Sequence, residues 1–208
     1  MWPISVGVVA VVIAAIVIPV VLTRSSTKYT LALTHPIAWN TLSGLQKSKP
    51  PWPANANDLT QRVAKIGLEP LGQEQLQFHI HQHLDLWVNG QKVTIPQYAG
   101  IKIDQAAQTA VFAELHTHNS TGIIHDESAR AVRFELAQFF GVWGVRLTQR
   151  CIGSFKGSCG TVQMWVNGTK YTGNPANLVL RNHQEIVLVL GKPPASIPKS
   201  FPFASYGL

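Results

Sequence analysis

The side chains best suited to metal binding or catalysis in this 208-residue chain are its histidines, and six of the eight fall into three short clusters. Imidazole is the commonest side-chain ligand of transition metals, and alternate residues of a β-strand point to one face. The spacing therefore predicts a group of imidazoles on one face of a sheet, as in a metal site. The predicted ligands are His79, His81, His83, His116, His118 and His125.

The register of one predicted hairpin decides whether the second and third clusters meet. Two strands are predicted on either side of a turn at residues 119–122. If His116 lies opposite His125, Glu114 lies opposite Glu127, and the four side chains share a face. A slip of one residue sends His125 and Glu127 to the other face. The metal hypothesis therefore predicts that His116 pairs with His125.

The first cluster belongs to a predicted strand over residues 78–88, where apolar and polar residues alternate. His79, His81, His83 and Asp85 share its polar face. The three histidines span about 13–14 Å, so they cannot all bind one ion. If this strand lies beside the second cluster, a site of three or four imidazoles results.

The donor set indicates which metal the site prefers. Imidazole with little sulfur suits Cu(II), Zn(II), Ni(II) or Fe(II), and Met164 is the one methionine away from the terminus. We predict copper, with zinc as the alternative. Glu114, Glu127 and Asp85 are candidates for a carboxylate ligand, for a partner that fixes an imidazole tautomer, or for a general base. Asp126 is predicted to lie on the surface at the end of a turn. The competing interpretation is that all these polar residues are solvated on an exposed sheet face.

The two cysteines bear on the compartment. Cys151 and Cys159 flank a short Gly-containing loop, which favours a local disulfide in an oxidising environment. The alternatives are two unrelated thiols or two soft metal ligands, although this spacing is not typical of metal sites. The disulfide interpretation places the folded domain outside the cytoplasm.

The N-terminal residues predict a membrane anchor. Residues 4–22 carry no charge and are long enough to cross a bilayer as a helix. No Lys or Arg precedes them and no clear cleavage site follows, which favours an uncleaved helix over a signal peptide. Arg24 and Lys28 would hold the next segment in the cytoplasm, opposite to the cysteine argument. We predict a single-pass protein of the cytoplasmic membrane whose C-terminal domain lies outside the cytoplasm.

The remaining sequence divides into four predicted segments. They are a transmembrane anchor over 1–23, a tether over 24–55, a His-rich domain over 56–191 and a Pro-containing tail over 192–208. The order hairpin, hairpin, helix, strand, turn, strand predicts an α+β fold with mainly antiparallel β-structure, similar to a β-grasp with an extra N-terminal hairpin. A small β-sandwich or a cupin-like barrel is the alternative. The apolar stripe of the helix predicted over 134–143 should face the core.

Four motifs carry a family resemblance: HxHxH at 79–83, LHTH at 115–118, IHxE at 124–127 and FFxxWG at 139–144. With Asn89-Gly90 and Ile95-Pro96, they resemble a widespread family of uncharacterised, membrane-anchored or exported prokaryotic proteins. The resemblance covers about residues 58–191 and implies no particular reaction. A weaker likeness, to cupins, rests on the His79-x-His81 pair with Asp85 where cupins usually have Glu.

Three functions are compatible with these patterns. The first is a membrane-anchored, extracytoplasmic copper-binding protein for storage, delivery or sensing, with a formed histidine site and no deep pocket. The second is an accessory subunit of a larger membrane complex, whose helix, tether and tail dock on partner membrane proteins. The third is a mononuclear metalloenzyme, which requires a concave pocket over the metal. The basic residues, at a formal net charge of +7, are scattered, so we predict no nucleic-acid partner.

Overall fold

The computed structural model describes residues 29–75 and 77–208. The predicted anchor over residues 1–23 lies outside this part of the chain. Within the described residues, no helix is long and apolar enough to cross a membrane.

The described chain is mainly β-structure with few helices, as the sequence predicts. Its helices are α1 (Leu59–Lys65) and α2 (Leu136–Trp143), with 3-10 helices at Trp39–Thr41, Pro175–Asn177 and Phe203–Tyr206. Its strands are β1 (Thr30–Leu31), β2 (Pro70–Leu71), β3 (Phe78–Val88), β4 (Gln91–Val93), β5 (Ile101–Asp104), β6 (Thr109–Ala113), β7 (Leu115–His116), β8 (Ile123–Ser128), β9 (Val132–Arg133), β10 (Val162–Val166), β11 (Thr169–Tyr171) and β12 (Gln184–Leu190).

The largest sheet has the strand order β11-β10-β12-β3-β8-β7, and β4 pairs with the C-terminal end of β3. β12 runs parallel to β3, whereas the other neighbours are antiparallel. A smaller sheet has the order β2-β6-β5, and β1 pairs with β9. The large sheet ends in two free edges, β11 and β7, so the alternative of a cupin-like barrel is wrong.

Strand β3 positions the first histidine cluster, and its alternating pattern sets which residues face the core. Leu84, Leu86 and Val88 are buried in the core, while the histidines point to the opposite face. At the end of β3, Asn89 and Gly90 both take positive φ, 52° and 82°. These angles suit the tight hairpin turn that Asn-Gly predicts.

Helix α2 packs into the core, as its apolar stripe predicts. Phe139, Phe140 and Trp143 are each 0% exposed. Gly144 ends the helix at φ 77°, a left-handed conformation that glycine adopts without steric cost. The aromatic stripe therefore stabilises the fold and does not form a cofactor site.

The described part of the segment predicted as a tether packs against the domain, beginning with the pairing of β1 with β9. Trp52 is 1% exposed, and its ring meets that of Trp143 edge to face at 5.8 Å. The backbone N–H of Gln46 donates to the carbonyl of Gly144 at 2.9 Å. The tryptophan of the Pro-rich stretch is therefore part of the hydrophobic core. The packed unit therefore begins before residue 56.

The C-terminal tail also packs on its own chain. The ring of Phe201 stacks on His83 at 3.8 Å, and that of Phe203 stacks on His183 at 4.6 Å. Phe203 is 5% exposed, so the tail covers part of the sheet face that carries the histidines. The accessory-subunit alternative has the tail dock on a partner; here part of the tail packs on its own chain. Aromatic residues without periodicity gave no sequence signal for the contact.

The predicted disulfide is confirmed. Cys151 and Cys159 are bonded across the loop that they flank, and the two residues also form an antiparallel bridge. The described residues contain no free cysteine.

Candidate metal centre

The register that the metal hypothesis requires is confirmed. His116 in β7 lies opposite His125 in β8. On its other side, β8 pairs with β3, so that His81 lies opposite His125 and His79 lies opposite Glu127. The second strand of the hairpin, β8, therefore lies between β7 and β3. His125 has His116 opposite it on one side and His81 on the other. Directly opposed residues share a face, so all of these side chains converge.

His118 joins the group although it lies beyond the end of β7. Its Nε2 is 3.2 Å from Nε2 of His116. The same atom is 3.0 Å from Oε1 of Glu74, a residue of the segment that precedes β3. The side chain of His118 is 33% exposed and that of His116 is 0% exposed, so the group reaches from the interior to the surface.

Glu127 lies among these imidazoles and is fully buried. Its Oε2 accepts a hydrogen bond from the backbone N–H of Gln75 at 2.7 Å. Its Oε1 is buried and has no hydrogen-bond partner among the described residues. Three ring nitrogens surround Oε1: Nε2 of His79 at 3.3 Å, Nε2 of His116 at 3.6 Å and Nδ1 of His125 at 3.9 Å. A buried carboxylate oxygen of this kind needs a cation or a proton.

The spacing of the donor atoms suits a single ion. Metal–nitrogen bonds of about 2.0–2.1 Å at tetrahedral angles hold the donors roughly 3.3–3.4 Å apart. One donor from each of His116, His118, His125 and Glu127 lies within 4.8 Å of all the others. Within this set, Nε2 of His116 lies 3.2 Å from Nε2 of His118 and 3.6 Å from Oε1 of Glu127. Small side-chain movements bring these four donors to one ion.

One hydrogen bond fixes which nitrogen His116 offers. Nδ1 of His116 lies 2.9 Å from the carbonyl oxygen of Ala113. A carbonyl can only accept, so Nδ1 carries the proton, and in the neutral ring Nε2 carries the lone pair. Nε2 is the atom that faces His118 and Glu127. Backbone support of this type orients metal-ligating histidines in general.

The imidazoles are held in the neutral form that binds metals. Burial lowers the pKa of His81 to about 4, of His116 to about 3 and of His125 to about 2, and mutual repulsion between the rings adds to the effect. Burial also lowers the pKa of His79. The same burial raises the pKa of Glu127, against the opposing hydrogen bond from Gln75. At neutral pH a cation therefore does not compete with protons for these ring nitrogens.

A second set of donors adjoins the first. One nitrogen from each of His79, His81 and His125 lies within 4.8 Å of the other two. Nε2 of His79 is 3.1 Å from Nδ1 of His125. His125 thus belongs to both sets, and five of the six predicted histidines take part in one or the other.

His83 and Asp85, which were also predicted as site residues, lie apart from this centre. They follow His81, the residue opposite His125, by two and four positions along β3, and they group instead with Glu185 of β12. Nε2 of His83 donates to the carbonyl of Thr121 at 2.9 Å, and Nδ1 lies 2.7 Å from Oε2 of Glu185. Asp85 forms an ion pair with Lys92 at 2.5 Å. With both ring nitrogens engaged and Phe201 stacked on its ring, His83 links β3, β12 and the tail.

Glu114 is not placed as the sequence predicts. It occupies the break between β6 and β7, and its carboxylate accepts hydrogen bonds from Oγ of Ser128 at 2.7 Å, from the backbone of Glu69 at 3.0 Å and from Nη2 of Arg130 at 2.8 Å. These donors use both oxygens. Glu114 forms a structural ion pair with Arg130, and none of the possible metal-binding groups among the described residues includes it.

Asp126 is buried, which corrects its prediction as a surface residue. It is 0% exposed, and neither carboxylate oxygen has a hydrogen-bond partner among the described residues. Burial raises its pKa to about 8, against the attraction of Arg133. The reason is the position of β8, which lies between two strands and is not at an edge.

Two acidic residues near the histidines were missed from the sequence. Glu74 contacts His118, and Glu185 contacts His83. Glu74 lies in an irregular segment without periodicity. Glu185 reaches His83 through the parallel pairing of β12 with β3, which joins residues about a hundred positions apart. Neither contact has a local sequence signal.

A mostly apolar groove of about 490 Å³ opens beside the exposed side of the centre. His118 and Glu74 lie at its lining, together with Tyr98, Ile103 and Phe112. Tyr98 is 42% exposed and Ile103 is 53% exposed, so the groove presents apolar surface to solvent. The centre therefore adjoins a concavity large enough for a small molecule.

Comparison with known proteins gives no relative to guide the assignment. No protein-family model, curated protein or solved structure matches the chain significantly. The functional argument therefore depends on the geometry of the centre.

Proposed function

We propose that this chain is a membrane-anchored, extracytoplasmic protein that binds a transition-metal ion, copper, for storage, delivery or sensing. The ligands of the ion are His116, His118, His125 and Glu127. One observation carries the proposal: the buried Oε1 of Glu127 has no hydrogen-bond donor among the described residues and is surrounded by ring nitrogens at 3.3 to 3.9 Å.

The choice of copper is supported by the donor set. Imidazole nitrogen with one carboxylate oxygen suits Cu(II) and Zn(II), and copper binds more tightly than zinc in the usual order of divalent ions. Cys151 and Cys159 are bonded to each other, so neither offers a thiolate ligand. The disulfide also supports an oxidising compartment, where Cu(II) is the stable state of copper. Zinc is the alternative ion for the same ligands.

Metal binding is tested on the full-length chain, purified in detergent without an affinity His-tag and stripped with a chelator. Titration with Cu(II) and Zn(II), followed by metal analysis, should give tight binding of copper. The double variant His116→Ala/His118→Ala should lose this binding. The matched control is His35→Ala, because His35 is exposed and, among the described residues, its side chain forms a hydrogen bond to its neighbour Thr34 and lies outside the centre. Equal copper binding in the double variant and in the wild type would refute the site.

The proposed topology has a separate test. Protease added to intact spheroplasts should digest the domain if it lies outside the cytoplasmic membrane. Digestion only after lysis would place the domain in the cytoplasm, in agreement with Arg24 and Lys28 and against the disulfide argument.

A metalloenzyme is the second candidate, and the groove beside His118 favours it. A catalytic metal keeps an open position for water or substrate, and an adjacent concavity gives substrate access. Exogenous azide tests this possibility, because it binds only to copper with an open position. A new azide-to-copper absorption band would support the enzyme, and an unchanged spectrum would favour a closed binding site.

We further propose that the domain is a β-grasp variant with an added hairpin. The hairpin β3-β4, the helix α2 and the hairpin β10-β11 precede the last strand β12, which lies between β3 and β10. The hairpin β7-β8 extends this arrangement on the side of β3 that carries the histidines. An experimental structure with a different strand order would contradict this classification.

A further inference from the structure

We infer that the centre holds two copper ions, the second bound by His79, His81 and His125, with the ring of His125 bridging the two. This inference deepens the proposed function and rests on it. It adds a second metal position to the centre and predicts a stoichiometry of two ions.

The number of donors exceeds the need of one ion. Five imidazoles and one carboxylate converge here, whereas an imidazole site of this class usually takes four protein ligands. The donors divide into two sets, His116, His118, His125 and Glu127 in the first, and His79, His81 and His125 in the second. The two sets have one member in common, and that member is His125.

His81 provides independent evidence for a ligand at the second position. The residue is 9% exposed, and its Nε2 is buried without a hydrogen-bond partner among the described residues. A buried imidazole nitrogen without a partner loses its hydration and gains nothing in return. A cation at the second position would satisfy this nitrogen.

The geometry around His81 is compatible with a shared ion. Its ring centroid lies 4.4 Å from that of His79 and 4.6 Å from that of His125. Nε2 of His79 and Nδ1 of His125 are 3.1 Å apart, close to the roughly 3.3–3.4 Å that separates two nitrogens bound to one tetrahedral ion. The three rings therefore surround one position.

His125 is the side chain that can connect the two positions. Imidazole has two ring nitrogens, and each can bind a metal ion. Nδ1 of His125 is 3.1 Å from Nε2 of His79, which assigns Nδ1 to the second ion and leaves Nε2 of the same ring for the first. When both nitrogens bind copper, the ring gives up its N–H proton to solvent. Binding of the second ion should therefore release this proton in addition to any that the first ion displaces.

The two-ion centre is tested by titrating the metal-free, full-length protein with Cu(II) and recording the electron paramagnetic resonance signal. An imidazolate bridge couples the spins of two Cu(II) ions. We expect two equivalents of copper to bind, with a signal that rises over the first equivalent and falls over the second. The His81→Ala variant should bind one equivalent and show an uncoupled signal, while His35→Ala should behave as the wild type does.

The outcomes separate this inference from the proposed function. A wild-type protein that binds one equivalent refutes the second ion and leaves the first site intact. Two equivalents with independent, additive signals refute the bridge through His125. Absence of any binding refutes both proposals. Because the wild-type titration decides the stoichiometry, the inference does not depend on the folding of the His81 variant.

Discussion

Two buried glutamates of one hairpin, Glu114 and Glu127, are assigned opposite roles by the structure, and the variants Glu114→Gln and Glu127→Gln test the assignment. Glu114 binds Arg130, Ser128 and the backbone of Glu69, whereas Glu127 offers a free oxygen to the histidines. Glu114→Gln should lower stability and leave copper binding unchanged. Glu127→Gln should weaken copper binding and leave the stability of the metal-free protein nearly unchanged.

The size of each effect follows from the contacts. Glutamine keeps one acceptor oxygen at position 114, so the variant loses about one charge-assisted hydrogen bond, worth roughly 1.5–3 kcal/mol. Arg130 is 36% exposed and recovers part of the loss through water, which leaves about 2 kcal/mol. In a protein of this size that amount lowers the melting temperature by about 4–8 °C. Loss of the Glu127 carboxylate should weaken copper binding at least tenfold, the smallest effect typical of an outer partner of a metal ligand.

Thermal unfolding of the metal-free proteins gives the stabilities, and competition with a chelator of known affinity gives the copper affinities. Each variant serves as the control for the other, because both exchange a buried carboxylate for an amide. A loss of copper affinity in Glu114→Gln that equals the loss in Glu127→Gln would refute the assignment. Unchanged affinity in Glu127→Gln would refute it equally.

Three further results are expected from the described contacts. Burial raises the pKa of Asp126 from 3.8 to about 8, so this residue lowers the stability of the metal-free protein progressively as the pH rises from about 4 to 8. The Asp126→Asn variant should therefore become more stable relative to the wild type over this range. A difference in unfolding free energy that stays constant with pH would contradict this. Phe201→Ala removes the ring stacked on His83 and should make the tail more sensitive to protease, and equal cleavage rates would contradict the packing. The double variant Cys151→Ser/Cys159→Ser removes a disulfide that joins residues with a sequence separation of 8. It should lose about 2.5 kcal/mol of stability in chemical denaturation. An unchanged denaturation midpoint would contradict this.

Local patterns predicted the parts of the centre that lie within one hairpin or one strand. The alternation over Phe78–Val88 gave the bounds of β3 and the face of its histidines. The short turn after His118 limited the register of the second hairpin, and the pairing of His116 with His125 followed from requiring the ligands to share a face. Both inferences need only residues that are close in sequence, where geometry restricts the choices.

Pairing between distant segments could not be predicted in the same way. The sequence does not specify that β8 lies between β3 and β7, and this order buries Asp126 and puts His81 opposite His125. The parallel pairing of β12 with β3 brings Glu185 to His83 and so removes His83 from the centre. The hydrogen bonds of the Glu114 carboxylate with Arg130 and Ser128 likewise exist only in the folded chain.

The most direct measurement of the central claim is the anomalous diffraction of a copper-loaded crystal, recorded above and below the copper absorption edge. The proposed function predicts a copper-specific peak within bonding distance of His116, His118, His125 and Glu127. A copper peak only at other residues, or none in protein shown to contain copper, would contradict the proposed centre.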